Sequence, residues 1–504
     1  MPTPPVVEAL GISKSFGGLR ALDDVSIEVP SGSFHAIVGE NGAGKSTLAK
    51  CLLGFHRPDS GAVKLDGMAV TTPAEARRAG LGMVFQHFTL APSLTVAENL
   101  VLARPDLPAL LNWSKEKERL RAFLDTAPFR IDLDARVDHL AAGEKQKVEI
   151  LKQLYLETRA LILDEPTSVL TPAEADEVMT VLRDLVTGGR LSVLLITHKL
   201  REVMAYADRV TIVRRGRRVA SNEVRQMDAS RIAELMVGSA QPPEQAIRRQ
   251  VRERRPALEI RDLRVLGDQG LAAVDQVNLK VHTGEILGIA GVSGNGQREL
   301  VQAIGGQRGI ESGSILAFGV LYRPSRSAIR RAGLLTLPEE PLDNACVAQM
   351  SVAENLALRS FEHPPMAKFG FLSDRSAIRR SAEAAVRRFS IRTPSIRAAV
   401  RTLSGGNVQR LVLARDLGGP DTRIMVAANP CFGLDFAATA FVHNQLIALR
   451  NRGGSVLLVS EDLDELMTVA DRILVMSGGR IAHETLRADL DLAAVGRYMG
   501  GHAG

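Results

Sequence analysis

The strongest constraint on this chain is that its first half is written again in its second. Leu22-Asp23-Asp24-Val25-Ser26-Ile27-Glu28-Val29 is answered by Val274-Asp275-Gln276-Val277-Asn278-Leu279-Lys280-Val281. The register holds through a glycine loop, where Gly39 pairs with Gly291 and Gly44 with Gly296. It then drifts by loop-sized steps, so that Leu140-Ala141-Ala142-Gly143-Glu144 meets Leu403-Ser404-Gly405-Gly406-Asn407, and Pro166 meets Pro430. At 504 residues the chain is too long for one core. The repeat makes the division one into two like domains, expected over 1–240 and 257–504. The Gln-, Pro- and Arg-rich stretch 241–256 is expected to be the linker.

Each copy reads as α/β, because short apolar runs bounded by turns alternate with longer amphipathic stretches. Strands are expected from Phe34 to Val38, Leu161 to Leu163 and Val193 to Ile196, echoed from Glu285 to Ala290, Met425 to Ala427 and Val456 to Val459. Their unbroken apolar character points to a buried parallel sheet. Helices are expected from Gly44 and from Thr171.

The first copy carries a complete set of groups for phosphate chemistry. Gly39-Glu40-Asn41-Gly42-Ala43-Gly44-Lys45-Ser46-Thr47 stands between a strand and a helix. Glycines there let backbone N–H groups and the helix N-terminus face an anion closely. Lys45 is placed to reach β- and γ-phosphates, and Ser46 to offer its hydroxyl to Mg²⁺. Asp164 and Glu165 end the apolar run Leu161-Ile162-Leu163, which suits the first to a metal's water shell and the second to activating a water. His198 follows the strand ending at Ile196 and can reach a γ-phosphate. Gln86, after Met83-Val84-Phe85, can contact metal and water. Phe16 is either an adenine-stacking ring or a core residue.

The second copy has exchanged these groups. Gln297, Arg298 and Glu299 replace Lys45, Ser46 and Thr47. Ala428, Asn429, Glu461 and Glu339 replace Asp164, Glu165, His198 and Gln86, and Asp268 falls opposite Phe16. Losing a general base alone costs about 10²- to 10⁴-fold in rate, and here metal ligands and the lysine go too. Hydrolysis by this half is expected to be negligible.

Composition excludes several classes. No apolar stretch approaches the roughly 18 residues needed to span a bilayer, and Met1 to Leu10 lacks the order of an export signal; a cytosolic chain is expected. A net charge of +6 invites nucleic acid as a partner, but aromatics are 4% and the arginines are scattered. The run Arg248, Arg249, Arg252, Arg254, Arg255 reads as a solvated linker, with lipid headgroups as the other reading. Cys51, Cys346 and Cys431 lie far apart without metal-ligand spacing and carry no functional reading.

These motifs resemble the ATP-binding-cassette ATPases, in particular the twin-cassette subunits of bacterial importers for simple sugars and nucleosides, from about Leu10 to Gly479. The resemblance implies two tandem P-loop NTPase domains, each with a mostly parallel core sheet, an antiparallel β subdomain and a helical subdomain. It implies ATP, held by Phe16, Gly39, Asn41, Gly42, Gly44, Lys45, Ser46 and Thr47, and Mg²⁺, held by Ser46, Asp164 and Gln86. Catalysis would rest on Glu165, His198, Lys45 and Gln86. In that family Ser404, Gly405, Gly406 and Asn407 form the signature that caps the γ-phosphate bound by the opposite cassette, whereas Ala141 spoils the other signature. Permease subunits docked near the helical region after Gln86, an extracytoplasmic solute-binding protein and a location on the cytoplasmic face of the membrane follow, with no nucleic acid expected. Pro166-Thr167-Ser168-Val169-Leu170-Thr171 and Gly294-Asn295-Gly296-Gln297 look most like the nucleoside branch, with ribose- and galactose-type importers as neighbours. The alternative is a soluble twin-cassette protein acting on the ribosome or nucleic acid, but the long charged linker or zinc-binding cysteines usual there are absent from the sequence. A non-hydrolysing regulatory module is opposed by the intact Glu165 and His198.

Overall fold

Strands that bury both faces need helices on either side, and Phe34–Val38, Ala160–Asp164 and Ser192–Ile196 are buried at every residue. The computed structural model describes residues 3–17, 19–40, 42–107, 110–168, 170–238, 247–248, 254–292, 294–369, 372–417, 422–432, 434 and 436–499. The chain divides into two units, Met1–Pro242 and Pro243–Gly504.

In the first unit the central sheet runs Arg217–Glu223, Arg209–Arg214, Phe34–Val38, Ser192–Ile196, Ala160–Asp164, Leu81–Val84. All neighbours are parallel except the edge strand Arg217–Glu223. A separate antiparallel sheet has the order Leu19–Val29, Val7–Phe16, Ser60–Leu65, Met68–Ala69. Helix Lys45–Leu52 packs Leu48, Ala49 and Leu52 into a core shared with residues of both sheets. Val96–Leu102, Trp113–Thr126 and Ala142–Tyr155 form a helical part around Leu100, Leu120 and Val148. Helix Pro172–Thr187 starts where it does because Thr171 and Glu174 cap each other, with proline at the first turn.

The second unit repeats this order strand for strand: Leu334–Leu337, Ile424–Ala428, Ser455–Ser460, Ile286–Ala290, Arg472–Ser477, Arg480–Leu486. Its antiparallel sheet is Ala272–His282, Pro256–Leu266, Ser312–Ala317, Val320–Leu321. A small hairpin, Ala367–Lys368 with Leu372–Ser373, is added. Expected and observed strands agree to within one residue at each end.

The arginine run departs from a solvated linker. Arg248 is half-buried, donating to the Thr468 and Ala470 carbonyls at 2.6 and 3.2 Å and to Asp471 at 3.3 Å. Three acceptors at one helix end offset the loss of water around the guanidinium. Arg254 and Arg255 are exposed, whereas Arg249 and Arg252 lie outside the described residues. Among the described residues no helix is long and apolar enough to cross a membrane.

Candidate functional site

The glycine loop leaves strand Phe34–Val38 and enters helix Lys45–Leu52. At Gly39 a Cβ would lie 2.2 Å from the Val213 carbonyl oxygen. Gly44 has φ 106°, and a Cβ there would meet the Ala21 carbonyl oxygen at 2.6 Å. Only glycine lets the loop pass so close to neighbouring strands while its N–H groups turn outward. Gly42 also adopts positive φ; Asn41 lies outside the described residues.

The Lys45 ammonium is held over the loop, donating to the carbonyls of Gly39 at 2.7 Å and Glu40 at 3.1 Å. Burial lowers its pKa, against the opposing pull of Glu165, Asp164 and Glu40. The Ser46 hydroxyl hydrogen-bonds Asp164, whose carboxyl is raised by burial and by the adjacent Glu165 charge. A cation beside this pair would relieve both effects, which is the donor set Mg²⁺ takes: a hydroxyl and a carboxylate.

Glu165 is clamped from two sides. The Gln86 amide donates to one oxygen at 3.1 Å, and His198 Nδ1 lies 2.9 Å from the other. Burial raises the carboxyl, but the His198 bond and the charges of His198, Lys45 and Lys199 outweigh it, so the net shift is downward. The group is therefore ionised at neutral pH and aimed by two partners, as a water-activating base must be. Its backbone sits at φ 49°, tied by its N–H to the Ile196 carbonyl at 2.8 Å. Gln86 thus touches Glu165 itself, a contact that its place in the sequence did not reveal.

Beneath the base lies a brace that the motif reading passed over. The Thr167 hydroxyl donates to one Glu202 oxygen, and Thr197 donates to the other at 2.9 Å. Lys199 donates to the Thr167 carbonyl at 3.1 Å. The brace joins the turn after Glu165 to the turn bearing His198. Thr197 beside His198 was its one sequence signal.

Phe16 ends its strand, 43% exposed, edge-on to His56 at 5.2 Å with the Lys14 ammonium 5.6 Å from its ring. It is a surface ring available for stacking rather than a core residue. Thr47 follows Ser46 on the first helical turn.

In the second unit the scaffold is retained and the side chains differ. Asn429 has φ 41° and ties its N–H to the Val459 carbonyl at 2.8 Å, as Glu165 does to Ile196. Its side chain accepts from the Glu461 N–H at 3.0 Å instead of facing a histidine. Gln297 donates to the Val292 carbonyl at 3.3 Å. Arg298 is bound to Glu299 and to Asp268, at the position of Phe16, 3.0 Å away. Arg308 holds the other Asp268 oxygen at 2.6 Å.

The serine-glycine turn of the second unit and its counterpart in the first differ in the opposite sense. Helix Gly405–Leu417 opens directly after Ser404, whose hydroxyl is exposed and accepts from the Asn407 amide at 2.8 Å. That leaves a neutral, donor-rich helix N-terminus. Helix Ala142–Tyr155 opens after Ala141, and Glu144 folds its carboxylate back onto the Ala141 N–H at 2.9 Å. A carboxylate therefore already sits at this helix start.

Comparison with known proteins agrees with this geometry. The ABC transporter family model matches residues 22–168 and 274–422, one stretch in each unit. The chain is 37% identical to a nucleoside import ATP-binding protein of Lactococcus lactis subsp. cremoris, over 97% of this chain and 98% of that one. It is 37% identical to a glucose import ATP-binding protein of Haloferax volcanii, covering 99% and 96%. A guanosine import ATP-binding protein of Bacillus subtilis is 36% identical, covering 97% of each. The chain belongs to the ABC transporter family of ATP-binding proteins and carries the family's cassette twice.

Proposed function

We propose that this chain is the energy-coupling ATPase of an importer, using ATP hydrolysis in its first unit to drive uptake of a nucleoside or simple sugar through separate permease subunits. The observation that carries this reading is the clamp on Glu165 by Gln86 and His198 beside Lys45 and the Ser46–Asp164 pair. The import names of relatives aligned over nearly the whole chain support the cargo class.

In this reading Gly39, Asn41, Gly42 and Gly44 offer backbone donors to the phosphates, Lys45 neutralises the β- and γ-phosphates, and Thr47 adds to the helix N-terminal contacts. Ser46, Asp164 and Gln86 hold Mg²⁺, which when bound draws off charge from the phosphate oxygens. Phe16 stacks on the adenine. Glu165 takes the proton of the attacking water, and His198 fixes Glu165 and faces the γ-phosphate. Ser404, Gly405, Gly406 and Asn407 offer a further helix start for binding the γ-phosphate of ATP. The units are assigned as 1–240 and 257–504, joined by 241–256. The chain works at the cytoplasmic face of the membrane, and an extracytoplasmic solute-binding protein delivers the cargo.

The test is uptake of labelled nucleoside or sugar by cells carrying the chain with its permease subunits. Glu165→Gln is expected to abolish uptake while the chain still co-purifies with the permease. Recovery of the chain with ribosomes, and uptake indifferent to Glu165→Gln, would contradict the proposal.

A further inference from the structure

Cys431, without significance in the sequence, is brought against His443 and Glu465 by the fold of the second unit. Their ligand atoms all lie within 4.8 Å of one another. His443 Nε2 stands 3.2 Å from one Glu465 oxygen, and the Ser460 hydroxyl donates to the other at 2.6 Å. His443 is 9% and Glu465 5% exposed. The three come from separate elements: the turn after strand Ile424–Ala428, helix Phe436–Asn451 and helix Leu463–Val469.

The repeat provides an internal control. The same positions in the first unit hold Thr167, Met179 and Glu202, and there the buried carboxylate is served by two threonine hydroxyls with the Lys199 ammonium 3.9 Å away. In the second unit the lysine position is Asp462, the threonine that capped the carboxylate is a thiol, and the buried methionine is an imidazole. The exchange to Asp462 removes a positive charge from beside the carboxylate, and the other two add metal ligands, with the Cys431 thiol still hydrogen-bonded to Glu465. A buried carboxylate that loses its cation needs another source of positive charge.

We propose that Cys431, His443 and Glu465 bind one Zn²⁺-class divalent ion. Thiolate, imidazole and carboxylate together suit a cation of borderline softness, at bond lengths of about 2.0 to 2.3 Å. Such bonds separate tetrahedral ligand atoms by about 3.3 to 3.8 Å, so the 3.2 Å edge between His443 and Glu465 is already in place and the thiol closes the remainder. Binding breaks the Cys431 S–H bond, forms the metal–sulfur bond and releases the proton to solvent. One thiolate and one carboxylate balance the dipositive ion, so the loaded site is neutral. Water fills the fourth position, and Ser460 orients the ligating carboxylate. The ion takes over the role of the first unit's Thr167–Glu202–Thr197 brace.

The full chain, stripped with chelator and titrated with Co²⁺, is expected to develop thiolate-to-cobalt absorption that saturates at one equivalent and is displaced by Zn²⁺. The Mg²⁺ donors of the first unit include no sulfur and are silent in this band. Cys431→Thr, which installs the first unit's own residue, is expected to remove the band; Cys51→Ser and Cys346→Ser are expected to keep it. Ser460→Ala is expected to weaken Zn²⁺ binding by roughly 10- to 100-fold. In the unmutated chain Zn²⁺ is expected to protect Cys431, but not Cys346, from alkylation, read by mass spectrometry. Absence of the band, its survival in Cys431→Thr, or Zn²⁺-indifferent alkylation of Cys431 would each overturn the proposal.

Discussion

Glu165 shows how a carboxylate is kept both buried and charged. Burial works to raise it and His198 works hardest to hold it down, with the net balance below its ordinary value. Removing the histidine leaves burial opposed by the Gln86 amide and by more distant charges. His198→Ala is therefore expected to move the acid limb of the pH–rate profile for ATP hydrolysis upward, in addition to lowering the rate. An unmoved limb would show that His198 does not set the state of Glu165. The identities of Lys45, Ser46, Asp164, Glu165 and His198 were legible because each stands at a fixed distance from a strand end. The Gln86 contact to Glu165 joins residues far apart in the chain and depends on how adjacent strands are registered. No spacing rule encodes that.

Strand Phe34–Val38 carries a cost that its neighbours do not. His35 is fully buried, with Nε2 2.8 Å from the Thr211 hydroxyl and Nδ1 without a hydrogen-bond partner among the described residues. Burial first, and the Arg209 charge second, lower its pKa from 6.5 to about 4. The unfolded ring takes a proton near pH 6.5 and the folded one only near 4, so the unfolded state binds more protons between these values. Stability is full above the upper value and falls as pH drops, by about 3 kcal/mol across the window. Chemical denaturation of the first unit at pH 7 and pH 4.5 is expected to show this loss. His35→Leu, the residue that the repeat places at Leu287, is expected to flatten it; an unchanged pH dependence would contradict the assignment. A histidine inside an apolar run was legible as strand but not as a buried titrating group, because the depth comes from both flanking strands. Arg248 illustrates the same limit, since its charge predicts solvent and only the folded helix end supplies three acceptors.

Across the molecule, the two cassettes have the same strand order and the same left-handed kink at Glu165 and Asn429, although Lys45, Ser46, Asp164, Glu165 and His198 give way to Gln297, Arg298, Ala428, Asn429 and Glu461. Packing preserved the second fold while its phosphate-facing residues were exchanged. The serine-glycine turn shows the reverse, intact after Ser404 and closed by Glu144 after Ala141. The repeat made the doubled fold and the exchange of phosphate-facing residues legible; the Cys431 cluster was not, because its members are separated by loops whose path the sequence leaves open. In the proposed function all turnover passes through the first unit. The most direct measurement is steady-state ATP hydrolysis by Glu165→Gln and by Asn429→Asp, side by side with the unmutated chain. The first is expected to fall by about 10²- to 10⁴-fold with nucleotide still bound, and the second to stay within about twofold. Equal losses in the two variants, or turnover that survives Glu165→Gln, would contradict the account.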